Sequence, residues 1–425
     1  MNNVRGFACA CLCAAAVIML ILPGNLLAQS LTPSEQLGKS IFFDTDLSIN
    51  MNQACAACHG PAAGWTGPEN DTNAHGAVYE GSIAGRFGNR KPPSAAYATF
   101  SPIFHYDSKA GLFIGGNFWD GRATGEKLGN PAADQAQGPF LNPAEQALPD
   151  SACVVYLVCT ASYPVSFEDV WGAGSCDIAW PVDIDTTCGM EGVTVSLSSA
   201  DRAKSDMAYD QIALSIAAYE GSREVNAFSS KYDLTFNNSS NKAKLSKEEQ
   251  KGYALFRGKG KCSRCHIVGG QKALFTDFTF DNLGIPQNPE NPAGTAPGFV
   301  DSGLGGFLMN AGYPADVYMA EWGKQKVPTL RNVDLRPYNG FVKAYGHNGY
   351  FKTLKGIVHF YNTRDVKPTC PGLYTEAQAM AAGCWPPPEV EETVNKDELG
   401  DLGLSDDEED AIVAFLKALS DGFQP

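Results

Sequence analysis

Two copies of the motif Cys-x-x-Cys-His constrain this chain more than any other feature of its sequence. They occupy residues 55–59 and 262–266. Two thiols three residues apart on one helical turn can both reach the vinyl groups of a haem, and the adjacent imidazole can ligate its iron. The sequence therefore predicts two covalently bound haem c groups. The expected attachment residues are Cys55, Cys58, Cys262 and Cys265, and the expected proximal iron ligands are His59 and His266.

Two other kinds of site share the Cys-x-x-Cys spacing. A structural zinc site needs two further ligands close to each pair. A thioredoxin-like redox pair does not require a histidine to follow directly. Neither alternative accounts for the histidine in both copies, so haem attachment is the prediction.

The segment before each motif is repeated along the chain. Residues 31–42 align without gaps with residues 245–256, and both read L-[ST]-x-x-E-Q-x-G-x-x-[IL]-F. Each copy places an acidic residue three positions after a Ser or Thr, which is the capping box of a helix start. Two units of a helix followed by a haem motif indicate a mostly α-helical fold. We expect two cytochrome c-like haem domains in tandem, with long loops.

A polar break separates the two units. We place the boundary within residues 236–241, which gives an N-terminal domain of residues 29–240 and a C-terminal domain of residues 241–425. Apolar residues at helical spacing predict a helix over residues 201–219 before the break. A capping box over residues 405–408 predicts another helix near the C-terminus.

The first residues have the pattern of an export signal. A short positive start precedes a charge-free apolar run over residues 6–22 and a polar break. This pattern predicts a signal peptide over residues 1–28 and a mature protein in the periplasm, without membrane insertion. A retained anchor is the alternative, because the run is at the lower end of the spanning range of about 17–25 residues.

Ten cysteines remain after the predicted cleavage, and six of them lie outside the haem motifs. An even number of remaining thiols in an exported chain indicates disulfide bonds, with buried free thiols as the alternative. We expect one bridge between Cys370 and Cys384. A disulfide-bearing insertion over residues 153–188 has three possible pairings among Cys153, Cys159, Cys176 and Cys188.

The balance of charge excludes one class of partner. The chain has 32 Lys and Arg against 47 Asp and Glu, a net charge of -15. Nucleic acids and anionic membrane surfaces attract basic proteins, so we expect neither as a partner. The basic residues within 257–264 form a local exception at the second motif. They could dock an acidic redox partner or neutralise haem propionates.

Three further motifs resemble those of the bacterial dihaem cytochrome c peroxidases, a family that includes the enzyme maturing the tryptophan cofactor of methylamine dehydrogenase. FWDGRA at residues 118–123 resembles the inter-haem tryptophan segment of that family. QAQGPFLNPAE at residues 135–145 is similar to its distal-pocket run. VPTLRN at residues 327–332, followed by HNG at residues 347–349, resembles its second-domain core. The resemblance runs through nearly the whole mature sequence.

The resemblance implies roles for four side chains. Glu145 would be the distal carboxylate, with Gln135 and Pro139 as its pocket neighbours. One carboxyl group can take a proton from one oxygen of a peroxide and return it to the other. Without the resemblance, a Glu after Asn-Pro-Ala is typical of a helix start. Trp119 would carry electrons between the haems, and would otherwise be a core aromatic residue.

The remaining iron ligands distinguish the kinds of enzyme in the family. Family peroxidases cap the first haem with a loop histidine, and residues 80–94 contain none, so we expect an open position there for peroxide. The resemblance places Tyr361, fourteen residues after His347, where the peroxidases have Met and the cofactor-maturing enzyme has Tyr. An anionic phenolate favours higher oxidation states of iron than a thioether does. The alternatives are His75 and His105 at the first haem, and His359, Met309, Met319 and Met380 at the second.

These expectations define a periplasmic oxidoreductase of the cytochrome-c peroxidase type. The N-terminal haem would reduce hydrogen peroxide to water, and the C-terminal haem would relay electrons from a small cytochrome c or a cupredoxin. Two alternatives stay open: an oxidase acting on a side chain of a partner protein, and a dihaem electron carrier without enzymatic activity. The resemblance also implies Ca²⁺ between the domains, although Lys91 replaces the family's Asn. The assembly state stays open, with a homodimer as one option.

Overall fold

Helices with side-chain caps make up most of the regular structure. The computed structural model describes residues 30–236, 243–269 and 272–425. Helices dominate these ranges, and the strands form only two short antiparallel pairs, which confirms the predicted mostly α-helical class. None of the described helices has both the length and the apolar character that a membrane crossing requires. The predicted signal peptide, with Cys9, Cys11 and Cys13, lies outside the described residues.

The described part of the chain up to residue 236 contains nine α-helices and one antiparallel strand pair, in which His105 is paired with Ile114. These elements are α1 (Pro33–Phe43), α2 (Cys55–Cys58), α3 (Asn70–Ala74), β1 (His105–Asp107), β2 (Leu112–Ile114), α4 (Pro131–Leu141), α5 (Ser151–Thr160), α6 (Phe167–Trp171), α7 (Ile184–Cys188), α8 (Ser199–Gly221) and α9 (Lys231–Phe236).

The described part from residue 243 onward contains six α-helices and a second antiparallel strand pair, in which Phe280 is paired with Lys326. These elements are α10 (Lys247–Arg257), β3 (Phe280–Asp281), α11 (Gly303–Asn310), α12 (Ala315–Ala320), β4 (Gln325–Lys326), α13 (Leu354–Thr363), α14 (Glu376–Ala382) and α15 (Asp406–Lys417).

The repeated segments form the equivalent helices α1 and α10. Thr32 caps α1 through a reciprocal pair of hydrogen bonds with Glu35, and Ser246 caps α10 in the same way with Glu249. The helix predicted over residues 201–219 is present as α8, and the capping box at Ser405 begins α15. The helix starts predicted from these capping patterns are therefore confirmed.

A glycine at the same position of each repeat permits a close helix crossing. A Cβ atom at Gly38 of α1 would lie 1.8 Å from the carbonyl oxygen of Ser215 in α8. A Cβ atom at Gly252 of α10 would lie 1.8 Å from the carbonyl oxygen of Ala411 in α15. Any larger residue would separate the two backbones, so the repeat in sequence corresponds to a repeated pair of crossed helices.

Three disulfide bonds are present among the described residues. Cys370 is bonded to Cys384, as predicted. In the insertion, the structure selects one of the three possible pairings, with Cys153 bonded to Cys188 and Cys159 bonded to Cys176. The first bond joins α5 to α7 and the second joins α5 to the loop before α7, within the predicted disulfide-bearing insertion, which packs against α8 through α5.

Residues 32–425 form one compact unit. Its largest described core cluster surrounds α10, α13 and α15 and includes Phe256, Phe275 and Phe415. The predicted boundary between two haem domains lies almost entirely at residues 237–242, outside the described residues. The division at residue 240 therefore stays a prediction.

Candidate dihaem site

One continuous cavity of about 720 Å³ is lined by residues of both Cys-x-x-Cys-His motifs. The four motif cysteines are free thiols, whereas every other cysteine among the described residues is in a disulfide bond. A shared cavity with two free thiols and one imidazole at each motif suits two covalently attached haems.

The first motif is shaped by the short helix α2. The backbone N–H of His59 donates to the carbonyl oxygen of Cys55 at 3.0 Å, which closes the turn between the two. The Nδ1 atom of His59 donates to the carbonyl oxygen of Trp65 at 3.3 Å, which leaves Nε2 as the nitrogen that can ligate iron. Burial lowers the pKa of His59 to about 4, which favours the neutral imidazole required for ligation.

The second motif repeats this arrangement on a short 3₁₀ helix, Cys262–Arg264. The backbone N–H of His266 donates to the carbonyl oxygen of Cys262 at 2.9 Å. Its Nδ1 atom donates to the carbonyl oxygen of Phe275 at 2.8 Å, and burial lowers the pKa of the imidazole. Both histidines are thus held in the tautomer that presents Nε2 to a metal.

The thiols are poorly suited to the alternative chemistries. Burial raises the pKa values of Cys55 and Cys262 to about 12, whereas reactive redox cysteines have lowered pKa values. Among the described residues, no metal-ligand cluster contains both cysteines of one motif. The cluster that includes a motif cysteine joins Cys265 to Asp281 and Glu398. The arrangement favours haem attachment over zinc binding.

The predicted distal residues meet at the end of helix α4. Asn130 caps the start of this helix, and Gln135 and Pro139 line the cavity along its length. The chain then turns at Asn142, whose Nδ2 donates to Oε1 of Glu145 at 2.8 Å. Burial raises the pKa of Glu145, while the charge of Arg122 and the Asn142 hydrogen bond oppose that rise. The three predicted residues therefore line the same cavity, and their catalytic roles stay predictions.

Two functional candidates in this pocket were not predicted from the sequence. Arg122 lies 3.8 Å from the ring centroid of Phe118 and is paired with Asp120 at 2.7 Å, so its guanidinium is oriented on the cavity wall. Asn142 fixes the Glu145 carboxyl. Arg122 lies inside the FWDGRA motif, and Asn142 lies inside the QAQGPFLNPAE motif, directly before Pro143. The sequence analysis selected these motifs for other residues, so only the position of Arg122 and Asn142 within them could have indicated a function.

His75 and His105, the alternative ligands of the first haem, lie away from the cavity. The described histidines that line it are His59, His266 and His347. His75 and His105 are exposed, and each donates Nδ1 to a nearby backbone carbonyl, of Asp71 and Ile103 respectively. Neither of them lines the cavity. This placement supports the predicted open position for peroxide.

Trp119 is 9% exposed and lines the cavity. Its Nε1 donates to the carbonyl oxygen of Lys91 at 2.8 Å, and its ring centroid lies 6.4 Å from that of His347. His347 also lines the cavity. The indole is therefore held rigidly on a wall that both motifs share, and its role in electron transfer stays a prediction.

Tyr361 projects from α13 toward the second motif. It lines the cavity, and its pKa is raised by burial and by the neighbouring thiols of Cys262 and Cys265. His359 is turned away, since its Nδ1 lies 2.9 Å from Oε1 of Glu409. All six methionines among the described residues are exposed and none lines the cavity: Met51, Met190, Met207, Met309, Met319 and Met380.

The basic residues near the second motif have acidic neighbours. Lys259 pairs with Glu408 at 2.6 Å, and Arg264 lies 3.5 Å from Glu398. Lys261 donates to the carbonyl oxygen of Asp397 at 3.0 Å. These contacts offset much of the local positive charge, so the predicted docking patch is less basic than the sequence indicates.

The calcium ion implied by the resemblance does not fit the groups at Lys91. The side chain there offers N–H donors and positive charge, whereas Ca²⁺ requires oxygen ligands. Its Nζ lies 2.9 Å from both Thr66 Oγ1 and the carbonyl oxygen of Pro92. The hydroxyl oxygen of Thr66 and the carbonyl oxygen of Pro92, which could have ligated a metal, therefore accept hydrogen bonds from the amino group of Lys91.

A helical fold with two haem-attachment motifs on one cavity, and a half-buried glutamate beside the first, defines a dihaem c-type oxidoreductase. The family model for di-haem cytochrome c peroxidase matches residues 32–241. The chain is also 32% identical over 418 residues to the methylamine utilization protein MauG of Paracoccus denitrificans, covering 96% of this chain and 94% of that protein. This chain therefore belongs to the dihaem cytochrome c peroxidase and MauG family, whose cofactors are c-type haems.

Two other similar proteins are named peroxidases. The cytochrome-c peroxidase IdrP1 of Denitromonas iodatirespirans is 28% identical over 401 residues, covering 90% of this chain and 80% of that protein. The crystal structure of the dihaem peroxidase BthA from Burkholderia thailandensis superposes with a TM-score of 0.71 at 26% identity. That match covers 92% of this chain and 87% of the BthA chain.

Proposed function

We propose that this protein is a periplasmic peroxidase that reduces hydrogen peroxide to water at the first motif, with electrons relayed from the second. Two haems, held by the Cys-x-x-Cys pairs and by His59 and His266, would supply the redox-active iron. The observation that carries the proposal is the Glu145 carboxyl group, which is placed on the cavity wall by Asn142 with a raised pKa.

Glu145 would move the protons of the reaction. Reduction of one H₂O₂ consumes two electrons and two protons, breaks the O–O bond and releases two water molecules. The carboxylate would accept a proton from one peroxide oxygen and return it to the departing oxygen, which leaves as water. Arg122 would favour the carboxylate form of Glu145 by its charge, and Gln135 and Pro139 would shape the space for peroxide.

Trp119 would provide the path for electrons along the shared cavity. The indole is held by its hydrogen bond to Lys91, in the part of the chain that carries the first motif. It also packs near His347, in the part that carries the second motif. The physiological donor would be a small cytochrome c or a cupredoxin that docks on the side of the second motif.

A second candidate function follows from Tyr361. All described methionines are exposed, whereas Tyr361 lines the cavity beside Cys262 and Cys265. A phenolate ligand favours higher oxidation states, so the second site would share oxidising equivalents instead of storing an electron. This observation favours oxidation of a side chain on a partner protein, and the similarity to MauG agrees with it.

One mixing experiment separates these functions. Hydrogen peroxide is added to the fully ferric holoprotein, with and without a reduced small cytochrome c, and the absorption spectrum is followed by stopped flow. Rapid turnover of the reduced cytochrome supports the peroxidase. A long-lived state, oxidised by two equivalents and stable without a donor, supports the oxidase. If neither peroxide nor cyanide changes the spectrum, the protein is an electron carrier and both proposals fail.

A further inference from the structure

A buried lysine joins two distant parts of the chain through backbone oxygens. Lys343 is 4% exposed, and its Nζ donates to the carbonyl oxygens of Ala63 at 2.8 Å, Asn332 at 2.6 Å and Leu335 at 3.1 Å. Ala63 lies four residues after the first haem motif, whereas the other acceptors belong to the C-terminal part. Backbone carbonyl oxygens are also the groups that ligate calcium in proteins.

The geometry at Lys343 favours a full ammonium group. Three carbonyl oxygens accept hydrogen bonds from Nζ, and a neutral amine has only two N–H groups. Burial and the charges of Lys91 and Arg336 lower the pKa of Lys343, while Asp334 acts in the opposite direction. The three acceptors counteract this lowering because only the protonated form satisfies all of them.

Lys91 forms the second part of this arrangement. Its side chain is 8% exposed and donates to Thr66 Oγ1 and to the carbonyl oxygen of Pro92, each at 2.9 Å. Burial lowers the pKa of Lys91 to about 7, and two acceptors can be satisfied by the amine as well as by the ammonium form. Its backbone N–H donates to the carbonyl oxygen of His347 at 2.8 Å. Lys91 therefore also connects the N-terminal part of the chain to the C-terminal part, through its backbone.

The backbone at Gly64 leaves space for the amino group of Lys343. Gly64 has a φ of 74°, and a Cβ atom there would lie 2.9 Å from Nζ of Lys343 and 2.8 Å from the carbonyl oxygen of Asn332. A side chain at Gly64 would displace the lysine from its acceptors. A divalent cation at the same place would be repelled by the ammonium group of Lys343 and would find its oxygen ligands occupied.

We propose that the side-chain amino groups of Lys343 and Lys91 replace a calcium ion, so that this protein joins its two haem-bearing regions without bound metal. The bridging of oxygen atoms that a calcium ion would supply comes from these two amino groups, and the positive charge comes from Lys343. The inference is independent of whether the protein acts as a peroxidase, an oxidase or a carrier.

The first test uses the unaltered holoprotein. Calcium content is measured by elemental analysis, and the Tm and the EPR spectra of both haems are recorded before and after dialysis against EGTA, and again with added CaCl₂. We expect far less than one calcium ion per chain, with an unchanged Tm and unchanged spectra in all three conditions. One tightly bound calcium per chain, or a change on chelation that CaCl₂ reverses, would overturn the proposal.

The second test replaces the amino groups. Lys343→Met and Lys91→Met should each lower the Tm by several degrees, and EGTA should still have no effect. The matched control is Lys326→Met, which removes a half-buried lysine of the same cavity that bonds instead to Ser101, Asn117 and the carbonyl oxygen of Gly116. In Lys91→Asn/Lys343→Ala, removal of both amino groups should make the Tm rise with CaCl₂, whereas Lys326→Met should not respond. If the Lys343 and Lys91 variants keep the full Tm, the proposed bridging role is wrong.

Discussion

The indole Nε1 of Trp119 donates a 2.8 Å hydrogen bond to the carbonyl oxygen of Lys91. Because the backbone N–H of the same lysine donates to the carbonyl oxygen of His347, the indole is tied to a residue whose backbone bridges distant parts of the chain. The side chain proposed for electron transfer and a side chain proposed to replace calcium are therefore coupled through the backbone of Lys91.

Trp119→Phe tests the electron path. Phenylalanine retains most of the packing but loses the indole and its hydrogen bond, so we expect both haems to be bound and electron transfer between them to slow. Stopped-flow absorption after peroxide addition measures this rate. Trp385→Phe is the matched control, since Trp385 is 2% exposed and lies outside the cavity. Equal rates in the two variants would contradict the proposed path.

Glu145→Gln tests the proton transfer. The amide cannot exchange protons, so the rate of reaction with peroxide should fall by about 10²–10⁴-fold while both haems remain bound. Glu376→Gln serves as the control, because Glu376 is also buried but lies outside the cavity. A reaction rate unaffected by Glu145→Gln would exclude this carboxyl group from the mechanism.

The same carboxyl group predicts a pH dependence. Burial raises the pKa of Glu145 above its ordinary value of 4.5. Glu145 becomes protonated as the pH falls through this raised pKa, and the protonated carboxyl group can no longer accept the proton of peroxide. The reaction rate should therefore decline on the acid side at a pH above 4.5. A rate–pH profile for the unaltered protein checks this, and the acid limb should be absent in Glu145→Gln.

Tyr361→Phe tests the ligand of the second haem. Loss of the hydroxyl should change the absorption and the EPR signal of that haem alone, because the phenyl ring cannot ligate iron. Tyr350→Phe removes a buried hydroxyl that donates to the carbonyl oxygen of Tyr374 outside the cavity, and should leave both spectra unaltered. Unchanged spectra in Tyr361→Phe would remove the basis for the oxidase alternative.

Arg331→Met tests the buried ion pair that supports the core. The side chain of Arg331 is fully buried, and its guanidinium makes two hydrogen bonds to Asp233 at 2.6 and 2.8 Å. Removing the guanidinium breaks this buried ion pair, which costs about 3–5 kcal/mol in the free energy of unfolding. Arg86→Met, which breaks an exposed pair with Glu191, should cost far less, because solvent screens that pair. Denaturant unfolding of the two variants measures the difference.

Short-range patterns explain what the sequence predicted well. The spacing within residues 55–59 and 262–266 defines haem attachment because both thiols and the imidazole belong to one turn. The capping boxes at Thr32, Ser246 and Ser405 are likewise complete within four residues, and each begins a helix. The disulfide pairing in the insertion depends on how α5 and α7 pack, so the sequence left three options.

The residues of the chain by themselves determined two haem attachment motifs, a mostly helical fold and the family resemblance, because each rests on neighbours in sequence. Tertiary structure alone decided that the described methionines are exposed while Tyr361 lines the cavity, and that Arg122 lines it together with Glu145. It also decided that the amino group of Lys343 meets oxygens of Ala63 and Asn332, which lie far apart along the chain. The burial and the mutual contacts of such residues follow from the packing of distant helices and loops, which no local pattern records.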